Sequence, residues 1–171
     1  MKNIEKRRRR EQKTDYKLRA SILKSSLNRI IFRKTNRYII GEYVKSNDAQ
    51  DLVITGVNSK ELIKYGWKET YSIKNLAASY LTGLLLGKKI LGKEKKAKAI
   101  LDIGLQRNVK NSKIYAFLKG IIDSGVEVSC SKEILPKDEL IKGKLEEKDI
   151  EMFNKIKEKI SKWQKKKTKK K

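Results

Sequence analysis

The sequence contains no histidine, one cysteine and one proline among its 171 residues. Without histidine, catalytic triads, histidine-based acid–base chemistry and the usual zinc sites are excluded. Cys130 has no second cysteine with which to form an internal disulfide. No apolar run approaches the ~18 residues that a transmembrane helix needs. We therefore expect no membrane association, no bound metal and no cofactor, in an intracellular protein.

Positive charge is what the sequence has in excess. Its 44 Lys+Arg and 20 Asp+Glu give a formal net charge of +24 at pH 7. Most of this charge lies at the ends: residues 1–45 hold 15 Lys+Arg and 4 Asp+Glu, and residues 161–171 hold seven lysines and no acid. Such segments cannot fold alone, because like charges repel and little apolar surface is available for burial. They favour contact with a phosphate backbone, where Lys and Arg displace counterions.

Hydrophobic periodicity predicts an α/β domain between the basic ends. The predicted elements are strands at 29–34, 37–44 and 51–57, a helix at 72–91, a strand at 98–103, a helix at 112–124 and a strand at 126–128. Their order, βββ-α-β-α-β, implies a mixed sheet with helices packed on it. We expect Ser72 to cap the first of these helices, and Gly83 and Gly87 to let it approach the sheet closely.

The C-terminal segment is charged and amphipathic. Its apolar residues, at spacings of three and four, are Ile150, Phe153, Ile156, Ile160 and Trp163. The resulting helix needs a partner surface, and the domain's own surface is favoured over that of another subunit. The chain is therefore divided into a basic arm (1–25), an α/β domain (26–130), an extension with the amphipathic helix (131–164) and a lysine-rich tail (165–171).

Two carboxylates leave a nuclease open as an alternative. Asp102 ends a central strand and Asp123 lies in the following helix, and nucleases on a comparable scaffold hold two metals with a carboxylate cluster. The first hairpin, however, supplies only Glu42 beside Arg33 and Arg37. Asp102 is therefore favoured as a strand-end residue that hydrogen-bonds a turn.

Three further segments suggest phosphate or base binding. Residues 83–89 fail as a nucleotide loop because the glycine spacing is one residue short and Lys89 stands where Ser or Thr is required. Residues 65–67, Tyr-Gly-Trp, could stack a base, but a small core over the sheet edge is favoured. Residues 108–113 lead into a helix, and an anion could be bound there by the backbone N–H groups at the helix start together with Lys110 and Lys113. A solvated loop that binds nothing is equally compatible with this segment.

An ordered set of motifs is more specific than any of these segments. The motifs are RRRRE at 7–11, KTDY at 13–16 with Arg19, LKS at 23–25 with Arg29, TNR at 35–37, YGW at 65–67, NLAASYLTGLL at 75–85, GK at 87–88, ILDIGL at 100–105, SKIYA at 112–116, KG at 119–120 and DSG at 123–125. This series resembles the archaeal form of the large-subunit protein 18 family, the universal 5S-rRNA-binding ribosomal proteins. Asn111 departs from the usual glycine, which a left-handed turn would tolerate. No family contact is carried onto residues 137–171.

The resemblance implies a fold and a role. It implies an α/β scaffold similar to ribonuclease H but without its active site, and no catalysis. It also implies that the protein is a structural constituent of the large subunit in the cytoplasmic ribosome. There it would bind 5S rRNA and help to anchor it to the large-subunit (23S-type) rRNA in the central protuberance. Its neighbours there would be large-subunit protein 5 and other central-protuberance proteins, and no small-molecule substrate is implied.

The candidate RNA-binding residues are basic and hydrogen-bonding side chains of the arm, the first hairpin, the first predicted helix and the segment that leads into the second. They are Arg7, Arg8, Arg9, Arg10, Lys13, Tyr16, Arg19, Lys24, Arg29, Arg33, Asn36, Arg37, Lys88, Lys110 and Lys113. RNA of this kind is recognised mainly through shape, phosphate and 2′-OH contacts. We expect arm residues to control affinity and hairpin residues to control discrimination. The alternatives are the metal-dependent nuclease and a basic module that binds nucleic acid non-specifically.

Overall fold

A computed structural model describes residues 4–47, 50–68, 70–142 and 147–162. The strands are β1 (Asn28–Lys34), β2 (Ile39–Asn47), β3 (Gln50–Asn58), β4 (Lys98–Asp102) and β5 (Glu127–Val128). The helices are α1 (Arg7–Arg10), α2 (Tyr16–Leu23), α3 (Leu76–Leu91), α4 (Lys113–Ser124), α5 (Asp138–Lys142) and α6 (Glu147–Ser161), with 3₁₀ helices at Ser59–Tyr65 and Lys132–Ile134. In the described part of the chain, no helix is long and apolar enough to cross a membrane.

The five strands form one mixed sheet in the order β3-β2-β1-β4-β5. β1 pairs antiparallel with β2 and parallel with β4, so β1 lies at the centre. Side chains alternate along a strand, which places Ile30 and Phe32 in the core against the helices and Arg29 and Arg33 on the opposite face. The predicted mixed sheet and the order βββ-α-β-α-β are confirmed.

The first long helix begins later than the sequence pattern predicts. α3 starts at Leu76, and its N-cap is Asn75, whose Oδ1 accepts a hydrogen bond from the Ala78 N–H at 2.7 Å. The prediction that Ser72 caps this helix is wrong. Ser72 lies in the preceding turn, where its carbonyl accepts from the Asn75 N–H. Asn75 is the cap because it lies directly before the apolar helical run, at the spacing that an amide side chain spans.

Gly83 and Gly87 have a different role from the one predicted, because they face helix α4 and not the sheet. A Cβ atom on Gly83 would overlap the carbonyl oxygen of Phe117, and one on Gly87 would overlap the Ser124 side chain. Gly120 on α4 makes the corresponding close contact with α3, since a Cβ there would overlap the carbonyl oxygen of Tyr80. The two helices therefore meet backbone to backbone, and this contact fixes the layer that covers the sheet.

Helix α6 packs on the domain's own surface, as favoured from the sequence. Phe153, Ile156 and Ile160 are buried, and the ring of Phe153 lies 5.8 Å from the ring of Tyr80 on α3. Burial and a hydrogen bond to Asp123 raise the pKa of Tyr80, so its phenol stays protonated at this contact. Trp163 and the lysine tail lie outside the described residues.

Candidate nucleic-acid interface

A cleft of about 720 Å³ lies between the basic arm and one end of the sheet. We call it the arm cleft. Its arm side runs from Arg8 to Ile22. Its sheet side consists of Arg33 and Lys34 at the end of β1, Asp102 at the end of β4 and residues 103–106 after it. β1 and β4 run parallel, so their carboxyl ends meet at the same edge of the sheet. The arm cleft brings together five basic side chains, namely Arg8, Lys13, Arg19, Arg33 and Lys34.

The arm has a defined local structure in which the N–H groups at the start of α2 already have a hydrogen-bond partner. Asp15 caps α2, and its Oδ1 accepts hydrogen bonds from the N–H groups of Lys17 and Leu18 at 2.9 and 3.0 Å. Arg8 Nε donates to Thr14 Oγ1 at 2.8 Å, which folds α1 back towards α2. Since the first-turn N–H groups are occupied by a carboxylate, an anion in the cleft has to be bound by side chains.

One ion pair attaches the arm to the sheet, and a second ion pair within the sheet shares the same carboxylate. Arg19 on α2 donates to Asp51 Oδ2 at 2.7 Å, and Arg29 donates to the other oxygen of Asp51 at the same distance. Partial burial raises the pKa of Asp51, but hydrogen bonds from Arg19, Arg29 and Ser46 outweigh this and lower it to about 2. Asp51 is therefore ionised at neutral pH and holds α2 against the β2–β3 hairpin.

Arg29, one of the predicted RNA-binding residues, is buried with its guanidinium ion-paired inside the protein. Its side chain is only 1% exposed, and it also donates to Asp102 Oδ2 at 2.9 Å and to Ser46 Oγ. In the parallel pairing of β1 with β4, Asp102 lies opposite Ile31, midway between Arg29 and Arg33 on the same face of the sheet. An arginine in this position is enclosed by its own carboxylates and cannot reach a ligand.

Arg33 on the sheet side of the cleft is held in a fixed position. Its Nη1 donates to the carbonyl oxygens of Phe32 at 2.8 Å and Asp102 at 3.2 Å, and its Nη2 lies 3.4 Å from Asp102 Oδ1. Gly104 has a φ of +60°, and a Cβ on it would lie 3.1 Å from the Arg33 guanidinium. The glycine therefore makes room for the planar guanidinium. Because arginine carries five N–H groups, donors remain for a ligand.

Five of the predicted residues line the arm cleft: Arg8, Lys13, Tyr16, Arg19 and Arg33. Those outside it, Arg29 apart, are Arg7, Arg9, Arg10, Lys24, Asn36, Arg37, Lys88, Lys110 and Lys113. Most of these are exposed, but Lys88 and Lys113 are half-buried. The prediction missed Lys34, which adjoins Arg33 and could have been found from charge alone. It also missed Gln106, whose place in the cleft depends on the tertiary fold.

The aromatic segment 65–67 belongs to the core. Trp67 is buried, and its Nε1 donates to the carbonyl of Tyr71 at 3.4 Å. Gly66, with a φ of +106°, ends the preceding 3₁₀ helix. The interpretation of a core role is confirmed, but Trp67 belongs to the main core and not to a separate small one, and base stacking on Trp67 is excluded by its burial.

The loop before α4 has the expected backbone. Asn111 adopts a φ of +57°, so the left-handed turn allowed for it is confirmed. Lys110 is exposed, and Lys113 begins α4. Anion binding by this loop stays a prediction.

The carboxylates of the nuclease alternative are engaged elsewhere. Asp102 Oδ1 accepts from the Gly104 N–H at 2.9 Å, which confirms its role at a strand end, and Asp123 accepts from the Tyr80 hydroxyl at 2.7 Å. Over the described ranges 4–47, 50–68, 70–142 and 147–162, no group of three or more Cys, Asp or Glu residues could hold a metal ion. Both carboxylates thus serve the fold.

The sheet and the packed helices define the chain as an α/β protein, and its arm cleft is lined by five basic side chains. Comparison with known proteins gives the family. The family described as "Ribosomal large subunit proteins 60S L5, and 50S L18" matches residues 2–98 and 90–131. The large ribosomal subunit protein uL18 of Korarchaeum cryptofilum (strain OPF8) is 49% identical over 140 residues, covering 80% of this chain and 69% of that protein.

The chain belongs to this family of ribosomal large subunit proteins. The resemblance read from the sequence is therefore confirmed, as is the role of a structural, rRNA-associated constituent of the large subunit. Family membership also gives its location, the cytoplasmic ribosome.

Proposed function

We propose that the protein binds 5S rRNA and helps to anchor it to the large-subunit rRNA in the central protuberance. The observation that supports this proposal is the arm cleft, where cations from the arm and from the sheet converge on one space. A polycation that acted only through its tails would not need this arrangement. Large-subunit protein 5 and other proteins of the central protuberance are the neighbours that we expect beside it.

We infer that the segments of the chain have different roles in RNA binding. The arm (1–25) and its exposed arginines follow the RNA backbone, and the domain (26–130) sets orientation through the cleft and the hairpin. Asn36 and Arg37 lie exposed at the tip of the β1–β2 hairpin, where Lys74 donates to the Asn36 carbonyl at 2.7 Å. Residues 131–164 brace the domain through α6, and residues 165–171 add unspecific charge.

We also infer that the protein has no catalytic activity. Asp102 is held by Arg29 and Arg33, and Asp123 is held by Tyr80, so neither presents a free carboxylate pair to a metal. A nuclease assay with divalent metal tests this inference. Metal-dependent cleavage of 5S rRNA that Asp102→Asn abolishes would contradict it.

The binding experiment compares 5S rRNA with a length-matched, unrelated folded RNA over a salt series. Both RNAs will bind at low salt because of the +24 charge. Near physiological salt we expect 5S rRNA to stay bound where the competitor dissociates. Two curves that fall together would instead support the non-specific basic module.

Two charge-matched double variants locate the interface. Arg8→Ala with Lys13→Ala removes two cations from the arm cleft, whereas Lys60→Ala with Lys64→Ala removes two exposed cations from the distant 3₁₀ helix. For the cleft variant, we expect the slope of log K against log salt to fall by about one for each lost phosphate contact. Equal losses in both variants would show that only net charge matters.

A further inference from the structure

The arm cleft contains apolar surface that contact with phosphates does not explain. Leu18 on α2 and Leu105 after β4 both line the cleft, and they are 40% and 57% exposed. Ile22, which also lines the cleft, is four residues after Leu18 and so shares its helix face. Exposed leucines among five cations suit a ligand that has an apolar face and carries negative charge.

The polar groups beside these leucines are held in fixed positions. The carbonyl oxygen of Phe32 accepts hydrogen bonds from Arg33 Nη1 at 2.8 Å and from Gln106 Nε2 at 3.1 Å. Arg33 and Gln106 therefore lie side by side on one backbone acceptor. Together they present arginine donors and an amide carbonyl, which is the mixture of donors and acceptors that the edge of a base can pair with.

We propose that the arm cleft binds one unpaired, unstacked nucleotide of rRNA; this inference rests on the proposed function. The base lies against Leu18 and Leu105, its edge faces Arg33 and Gln106, and its flanking phosphates meet the cations at the rim. The cleft's volume of about 720 Å³ is in the range of ligand sites.

A paired nucleotide does not fit this chemistry. In an A-form duplex the faces of the bases are stacked on one another, so a duplex would offer phosphates and 2′-OH groups but no apolar face. The two leucines would then stay exposed to water. Single-stranded or bulged RNA offers both the phosphates and a free face, since every base has an apolar π-face.

The test uses two pairs of exposed leucines in the full-length protein. Leu18→Ala with Leu105→Ala removes the apolar part of the cleft, and the matched control is Leu52→Ala with Leu140→Ala, at residues 61% and 47% exposed outside the cleft. With 5S rRNA near physiological salt, we expect about tenfold weaker binding for the cleft variant. Its salt slope should be unchanged because no charge is removed. We expect the control variant to bind like the wild type.

Chemical probing of the bound RNA gives a second readout. With the wild-type protein, a base-specific reagent should find one unpaired base protected at its Watson–Crick edge. With the cleft variant that base should react again, while hydroxyl-radical protection of the backbone is retained. Thermal unfolding of all variants checks that the fold is intact.

The outcomes separate the nucleotide site from the proposed function. If the cleft and control variants bind equally and protect the same bases, the nucleotide site is overturned while the preference for 5S rRNA stands. If the wild type itself shows no preference for 5S rRNA over the length-matched RNA, the proposed function fails and the nucleotide site fails with it.

Discussion

Replacing Arg29 with methionine tests whether a buried arginine organises the face of the sheet that carries the arm cleft. Arg29 is 1% exposed and joins Asp51 from the β2–β3 hairpin to Asp102 at the end of β4. Methionine has a similar length and no charge, so the variant removes the ion pairs without leaving a large cavity. What remains is two carboxylates that face each other across the vacated position.

The size of the stability loss depends on which hydrogen-bond partners Asp51 and Asp102 keep in the variant. Breaking a buried ion pair by removing one partner costs about 3–5 kcal/mol, because a charge is left buried without compensation. Asp51 still has Arg19 at 2.7 Å, and Asp102 still has the Gly104 N–H at 2.9 Å and Arg33 at 3.4 Å. We therefore expect a loss near the lower end, about 3 kcal/mol. For a chain of this size, that loss lowers Tm by about 6–12 °C.

The assay is thermal unfolding at neutral pH, with Arg37→Met as the matched control. Arg37 is an exposed arginine in the turn of the β1–β2 hairpin, whose first strand carries Arg29, so its replacement removes an identical charge from the surface. We expect the control to change the free energy of unfolding by less than about 0.5 kcal/mol. If Arg29→Met unfolds like Arg37→Met, the buried network does not hold this face together and the reasoning is refuted.

Three further predictions test other contacts. Asp51→Asn should flatten the acid dependence of stability, because the pKa of Asp51 is about 2 in the folded protein against an ordinary 3.8. The ionised carboxylate therefore stabilises the wild type fully above about pH 4, and this stabilisation is lost as pH falls towards 2. Urea unfolding across that range measures the effect, and parallel plots of unfolding free energy against pH for wild type and variant would contradict it. Gly83→Ala should lower the free energy of unfolding, measured in urea, by about 1–3 kcal/mol or more, because the added Cβ would overlap the backbone of Phe117. Gly56→Ala is the milder control, since no atom lies closer than 3.6 Å to the Cβ added there. Phe153→Ala should cost about 3–5 kcal/mol and expose α6 to limited proteolysis; unchanged cleavage there would mean that α6 does not depend on this contact.

Much of the fold can be predicted from local sequence patterns. The strands β1 to β3 and the helices α3 and α4 follow from period-two and helical spacing, which reflect only which side chains share a face. The same holds for α6, whose apolar residues predict its buried face. The start of α3 was misplaced because Ser72 and Asn75 are both good caps, and the surrounding turn decides between them.

The arm cleft could be predicted only in part. The positive charge of the arm and of Arg33 is evident from composition, and it indicates a polyanion as the partner. The sequence does not, however, distinguish Arg29 from Arg33, since both are arginines on the same face of one strand. The β1–β4 pairing brings Asp102 beside both arginines. Their roles differ because Arg29 also pairs with Asp51, whereas Arg33 does not.

The sequence by itself determined the charge, the order of the elements and, through its ordered motifs, the family. Each of these depends on neighbours along the chain or on residue identity alone. The tertiary structure decided which arginine is buried, that Gly83 faces a helix, and that Leu18 and Leu105 share a cleft. These features bring together residues tens of positions apart, and only the pairing of strands and the packing of helices sets those distances.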